Sequence, residues 1–477
     1  MSKYKFMNTP VRRKRAYVSL SGTTTLHLRN PYVIACWSAA FPGLGHLLMS
    51  KYLRGFLLFI WEVLINNLAH INLAILYSLT GNIEMAKQII DINWALLYIP
   101  TYIFAVYDSY RTAIDINNNF ILAAREDAEI VPFKVGALEV NFLDKKTPWV
   151  AGFWSALSPG TGQVYIHRII VAAFLLGWWI IVVYFSKLLP AIQYTLTGQV
   201  VMAKSVVDWQ WILNIPSIYM YSIYDAYTNC VEVNNLYDWE QSKYLKKNYQ
   251  NKNFYIPNKK TENKGDNMYI ISTFDYSVNL EKAITSIQMK GVKKEDIFAV
   301  PVDKANEKIN LIDTIHHSDG VSLIDLACIL GAIFMIFGSI YGFVLKWGPI
   351  WCGLIGLSIG FTTGFIIKLI LLRKYLKRKK STKETEVILM VECKESLMEM
   401  VMDTFWSNHA LSVSKLDHGS ITDNLHCSNN VSNQSVIKTQ NIDDTILQIE
   451  RLAELCEKKF ITKEEFQAKK SKLLLMI

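Results

Sequence analysis

Apolar positions in this chain fall into long runs separated by short polar breaks. The first three runs cover about 32–49, 53–79 and 94–114, and the next three about 149–167, 169–197 and 209–229. The middle run of each set exceeds the roughly 20 residues that an α-helix needs to cross a bilayer. The first run of each set is shorter and is broken by Pro-Gly-x-Gly, at Pro42 to Gly45 and at Pro159 to Gly162. Backbone freed by such a break must be satisfied by neighbouring protein, which predicts a packed hairpin or a re-entrant turn. Two more apolar runs, about 323–345 and 349–372, predict a membrane hairpin.

The two sets are copies of one another. A shift of about 117 residues lays Pro31–Phe120 over Pro148–Tyr237 with roughly 28 of about 90 positions identical. WSAAFPGLG (Trp37–Gly45) falls on WSALSPGTG (Trp154–Gly162), LTGNIEMAKQIID (Leu79–Asp91) on LTGQVVMAKSVVD (Leu196–Asp208), and VYDSY (Val106–Tyr110) on IYDAY (Ile223–Tyr227). A repeat at fixed period is the dominant organisational signal in a sequence. Basic residues flank both copies, from Arg12–Arg15 through Lys134, Lys145 and Lys146 to Lys243–Lys264. If these flanks are all cytoplasmic, each copy crosses an even number of times, as two full crossings plus a half-inserted first segment would. The Pro-Gly-x-Gly turn and the Asp of the last helix resemble a family of bacterial multi-pass proteins related to the two-helix transmembrane domain. The second copy departs from that pattern where Gly55 becomes Ala172. The resemblance implies architecture and no activity.

Polar residues inside the helices are candidate functional positions. Glu62 and Asn66, and Asn66 and His70, lie four apart and so share a helical face. A proton or ion relay is the sharper reading. A structural polar seam is favoured, because the positions matching Glu62, Asn66, Asn67, His70 and Asn72 in the second copy are Trp179, Val183, Tyr184, Lys187 and Leu189. Asp108 and Asp225 recur near helix ends. Interfacial anchoring is expected there, with Asp108 within reach of Arg111 and Asp225 near Thr228 and Asn229.

Beyond the basic linker the pattern turns to β-α-β. MYIISTF (Met268–Phe274) and IFAVPV (Ile297–Val302) read as strands, with Leu280, Ala283, Ile284 and Ile287 at helical spacing between them. The order recurs as Glu386–Glu392, a helix bearing Leu397, Met400, Val401 and Phe405, and Leu411–Leu416. Two such halves make a ferredoxin-like sandwich, interrupted here by the membrane hairpin. Gly338, Gly342, Gly356, Gly360 and Gly364 place small residues on the hairpin helices, allowing close packing in lipid. The arrangement resembles general-stress-type bacterial proteins with a Gly-rich membrane insertion between two β-α-β halves. His316, His317 and Asp319 precede the hairpin and read as a solvated linker rather than a metal site.

The last segments are a polar tether, about 417–440, and a helical pair. Ile446, Ile449, Leu452 and Leu455 share a face, and Thr462 with Glu465 forms a capping box. FITKEEFQAKKSKLL (Phe460–Leu474) resembles the SHOCT module, a short bacterial C-terminal domain. Leu452, Leu455, Ile461, Thr462, Glu465, Phe466 and Leu473 carry the likeness. It implies oligomerisation or interaction with another protein. A pair this short rarely folds without a partner surface.

Composition fits this organisation. Of the 477 residues, 51% are hydrophobic and only 19% charged, too few charges for one soluble globule. The formal net charge of +9 arises mostly from basic stretches beside the apolar runs. Seven scattered cysteines without C-x-x-C spacing argue against a disulfide framework or a structural zinc site. A cleavable signal peptide is not expected, since a polar leader precedes the first apolar run.

The expected fold class is a mainly α-helical membrane protein with eight segments. They are a basic cytoplasmic leader (1–30), membrane repeats at 31–120 and 148–238 joined by a linker (121–147), and a basic linker (239–266). After these come the split domain (267–416) with its hairpin at about 323–372, the tether (417–440) and the helical pair (441–477). No catalytic motif, cofactor or metal site is expected, and no nucleic-acid partner. The expected function is a non-enzymatic, multi-pass protein of the cell membrane with both termini cytoplasmic. Its partners would be the bilayer, including anionic lipid, and a second copy or another protein through the C-terminal module, with a role in envelope stress. The alternatives are a small-solute or ion transporter using intramembrane acids, and a protein that organises anionic lipid through its basic linkers.

Overall fold

A computed structural model describes residues 12–251, 254, 267–303, 324–376 and 384–416. The chain is mainly helical and divides into two units, residues 1–244 with 303–385, and 245–302 with 386–477.

In the first unit a hairpin of β1 (Ala16–Ser19) and β2 (Gly22–Thr25) leads into the first copy. That copy is α1 (Pro31–Ala40), α2 (Leu44–Leu48), α3 (Tyr52–Ala69), α4 (Ile71–Leu79), α5 (Ile83–Ile89) and α6 (Ile92–Glu126). A second small hairpin, β3 (Phe133–Val135) with β4 (Val140–Phe142), separates the copies. The second copy repeats the order as α7 (Pro148–Leu157), α8 (Thr161–Tyr165), α9 (Ile169–Phe185), α10 (Leu188–Leu196) and α11 (Val200–Val206). Its last helix is split into α12 (Trp209–Ile212) and α13 (Ile215–Tyr249). Two segments expected to be plain polar leader and linker thus carry hairpins. The last helix of each copy also runs well past its apolar stretch.

Backbone conformation is duplicated along with sequence. Left-handed φ values recur at Gly43 and Gly160 (98° and 102°), Ser50 and His167 (both 58°), His70 and Lys187 (55° and 53°), and Gly81 and Gly198 (87° and 76°). His70 and Lys187 correct the expectation of one unbroken middle helix. Each breaks it, and in the second copy α9 and α10 meet at 60°. A carbonyl freed at each break is satisfied from elsewhere. The Asp91 N–H donates to Ala69 O at 3.3 Å, and the Asp208 N–H to Ser186 O at 3.2 Å. Both aspartates also cap the following helix, accepting from Asn93 and Trp94, and from Gln210 and Trp211.

The hairpin, α15 (Ile324–Val344) and α16 (Gly348–Leu376), completes this unit. Among the described residues, three helices are long and apolar enough to cross a membrane: Tyr52–Ala69, Ile324–Val344 and Gly348–Leu371. Counting two bent pairs as spans, α5 with α6 and α9 with α10, raises the number to five.

In the second unit β5 (Asn267–Asp275), β6 (Ile297–Asp303), β7 (Glu384–Lys394) and β8 (Ser412–Leu416) form one sheet in the order β6-β7-β5-β8. β5 runs antiparallel to both β7 and β8, with Ile270 opposite Val391 and Ser272 opposite Val413. Alternate residues of β5 and β7 (Ile270, Phe274, Val387, Leu389) are buried, as the period-2 rule requires. α14 (Val278–Met289) and α17 (Glu395–Ser407) pack Leu280, Ile284, Val401 and Phe405 into the same core. The halves flanking the hairpin in sequence therefore interleave in a single sheet.

Candidate functional site

The Pro-Gly turns and the recurring aspartates belong to one device. Gly43 and Gly160 take the left-handed conformation that opens each short helix, α2 and α8. That helix aims the residue after Pro-Gly-x-Gly at the Asp of the long helix. His46 Nε2 lies 3.0 Å from Asp108 Oδ2, and Gln163 Nε2 donates to Asp225 Oδ2 at 3.1 Å. The copies differ in the cation that neutralises the carboxylate. Arg54 reaches Asp108 at 3.1 Å with its side chain 59% exposed. Arg168 reaches Asp225 at 2.6 Å, with the two side chains 2% and 0% exposed. Asn229 donates to Asp225 as well, and Arg168 also donates to Leu47 O of the first copy. Asp108 does not pair with Arg111, whose carboxylate partner is Asp115. These contacts make both aspartates anchors of the turns, and Asp225 is fully buried.

Glu62 sits elsewhere, in a polar knot that joins the copies. Its Oε1 accepts from Asn66 Nδ2 at 2.9 Å and from the Tyr98 hydroxyl at 3.2 Å. Asn66 also donates to Asn72, and Asn72 donates to Gln210 O at 2.8 Å and Asn214 Oδ1 at 3.2 Å. Gln210 closes the ring by donating to Asn66 Oδ1 at 2.8 Å. Glu62 Oε2 is buried and has no hydrogen-bond partner. Of the sequence candidates, Glu62 and Asn66 come together. His70 is exposed at the helix break, and Asp108 and Asp225 lie in the turn anchors. Gln210 and Asn214 were not expected. Their signal was available in the repeat, since they stand opposite Asn93 and Leu97 of the first copy.

In the hairpin all five candidate glycines face the opposing helix. A Cβ at Gly338, Gly356, Gly360 or Gly364 would run into the backbone at Cys352, Phe334, Leu330 or Leu326, and one at Gly342 into Gly348. They let the two helices touch main chain to main chain. Among the described residues no group of three His, Cys, Asp or Glu side chains gathers to hold a metal. His316, His317 and Asp319 lie outside the described residues, as does the whole C-terminal helical pair.

Family comparison speaks to that pair. Residues 448–474 match SHOCT, the short C-terminal domain. The match spans Leu452, Leu455, Ile461, Thr462, Glu465, Phe466 and Leu473. No curated protein and no solved structure matches the chain.

Proposed function

We propose that this chain is a non-enzymatic, multi-pass protein of the cell membrane that presents cytoplasmic interaction modules, with both termini cytoplasmic. The SHOCT match at residues 448–474 carries the reading. It puts a module of protein-interaction type on a chain whose first unit is built of apolar helices. The sheet order β6-β7-β5-β8, with antiparallel neighbours at β5, supports a ferredoxin-like sandwich as a second cytoplasmic module. The basic run Arg373–Lys380, which begins in the last turn of α16, supports a cytoplasmic exit for the hairpin. Engagement of Asp108 and Asp225 as turn anchors weakens the transport alternative, which then rests on Glu62 and its unpartnered oxygen.

The test is chemical crosslinking in membranes with the full chain and with residues 441–477 deleted. Loss of a crosslinked assembly on deletion is expected. An unchanged assembly refutes the role given to the tail.

A further inference from the structure

Between the second copy and the hairpin lies an apolar cleft of about 300 Å³. Trp179, Ile192 and Tyr219 wall it on one side, and Met335, Ile350 and Leu354 on the other. Three lining residues carry hydroxyls, Thr195, Tyr219 and Ser339, and two are committed, Thr195 to Ala191 O and Tyr219 to Ala156 O, both at 2.7 Å. The volume matches the lower end of small-molecule pockets, but the lining lacks the convergent polar groups that orient a polar ligand. Water gains too few partners there, and an empty cleft forfeits the dispersion contacts of its walls. Hydrocarbon is the chemistry that fills it.

One end of the cleft carries positive charge. Pro349, Ile350 and Trp351 belong both to its lining and to the turn end of the hairpin. Lys204 on α11 reaches that turn, its Nζ 2.5 Å from Leu345 O, and the exposed Lys346 follows directly. The two copies differ in what stands beside this lysine. Its counterpart Lys87 is held by Glu84 at 3.1 Å, whereas Val201 stands at the position of Glu84 in the second copy. Trp347 and Trp351 are both exposed beside it, in the manner of aromatic side chains at a membrane interface.

We propose that this cleft is a lipid site. It holds one acyl chain of an anionic glycerophospholipid whose phosphate lies at Lys204 and Lys346, in the leaflet on the hairpin-turn side. The site is distinct from the basic linkers, and it rests on the membrane reading of the apolar helices.

Full-length protein in mild detergent is titrated with phosphatidylglycerol or phosphatidylcholine and followed by native mass spectrometry. One phosphatidylglycerol per chain is expected. I192W and L354W, which fill the cleft, should each weaken binding of both lipids at least tenfold, while G177W, at an open position of α9, should not. K204Q should keep the acyl chain but lower the preference for phosphatidylglycerol about fivefold, one lysine's contribution at a membrane surface. Because Lys204 is on the surface, K204Q reads the site even if a filling variant fails to fold. Wild-type-like binding in folded I192W and L354W overturns the proposal, as does an unchanged headgroup preference in K204Q. Carbonate extraction is scored separately. Release of the chain into the wash refutes the membrane reading, whereas an embedded chain that retains no lipid refutes this site alone.

Discussion

Duplication offers a controlled perturbation, because Asp108 and Asp225 do the same job in different surroundings. D225N is nearly isosteric, removes the charge and turns one of two accepting oxygens into a donor among the donors Gln163, Arg168 and Asn229. It leaves Arg168, 2% exposed at its side chain, with a hydrogen bond to Leu47 O at 3.3 Å and no carboxylate at 2.6 Å. Breaking a buried ion pair from one side costs about 3–5 kcal/mol, since the remaining charge stays desolvated. D108N keeps an acceptor for His46, and Arg54, 59% exposed, can rehydrate. The loss there is that of a surface pair, about 0.2–1 kcal/mol. The double variant R168M/D225N removes both charges and should recover most of the D225N loss, because a neutral replacement of a buried pair is often tolerated. Unfolding free energies of the detergent-solubilised variants, followed by tryptophan fluorescence, measure all three. Equal losses in D225N and D108N would sink the argument. So would additivity of R168M and D225N, which in contact should couple strongly.

Two further predictions concern the hairpin and the end of α13. G360L sets a side chain against the backbone at Leu330 and should cost about 1–3 kcal/mol by overpacking. Alkylation of buried Cys328, mapped by mass spectrometry, should accelerate in G360L and stay slow in G177L, where the space is open. Glu240, in the polar extension of α13, is pushed up to about 7, chiefly by burial, with Asp127 and Glu129 adding to the rise and Lys243 and Arg15 opposing it. Its Oε1 lacks a hydrogen-bond partner. A carboxyl raised in the folded state binds more protons there than when unfolded. Stability should therefore fall as pH rises from about 4.5 to about 7 and level off above. E240Q should flatten that slope; a slope identical to that of the parent chain would refute the assignment.

Much of the architecture was legible because it is written in residue type and spacing. The repeat, the Pro-Gly turns, the hairpin glycines and the buried faces of α14 and α17 all announce themselves through periodicity or through residues with special backbone or packing chemistry. The helix breaks at His70 and Lys187 did not, because neither position carries the glycine that usually marks a left-handed turn and the apolar run continues across both. What holds the breaks is distant in sequence: the N–H groups of Asp91 and Asp208. The expected partner of Asp108 failed for a related reason. Arg111 is close along the helix, but Arg54 and His46 approach from other helices. The polar knot was half visible, since Glu62 and Asn66 share a helix face while Gln210 and Asn214 arrive from the other copy.

Differences between the copies also indicate which faces meet protein. At the start of α13 and the break before it, Asn214, Ser217, Met220 and Tyr221 are buried. Ser217 donates to Ala40 O, and Trp37 packs edge-on against Tyr221. The same positions in the first copy are Leu97, Pro100, Ile103 and Phe104, all exposed. Three polar groups that serve the covered face are missing from the bare one, where Leu, Pro and Phe stand for Asn, Ser and Tyr, while exposed Tyr107 and Asn93 keep the polar groups of Tyr224 and Gln210. A face awaiting a protein partner like that of the second copy would retain those donors. A face turned to hydrocarbon would lose them, because an unpaired polar group there is costly. At Leu97, Pro100, Ile103 and Phe104 the bare face of α6 thus has the chemistry of a lipid surface under the proposed membrane reading. That leaves the SHOCT-matching tail, rather than a continuation of the repeat, as the better place for this chain to meet a partner.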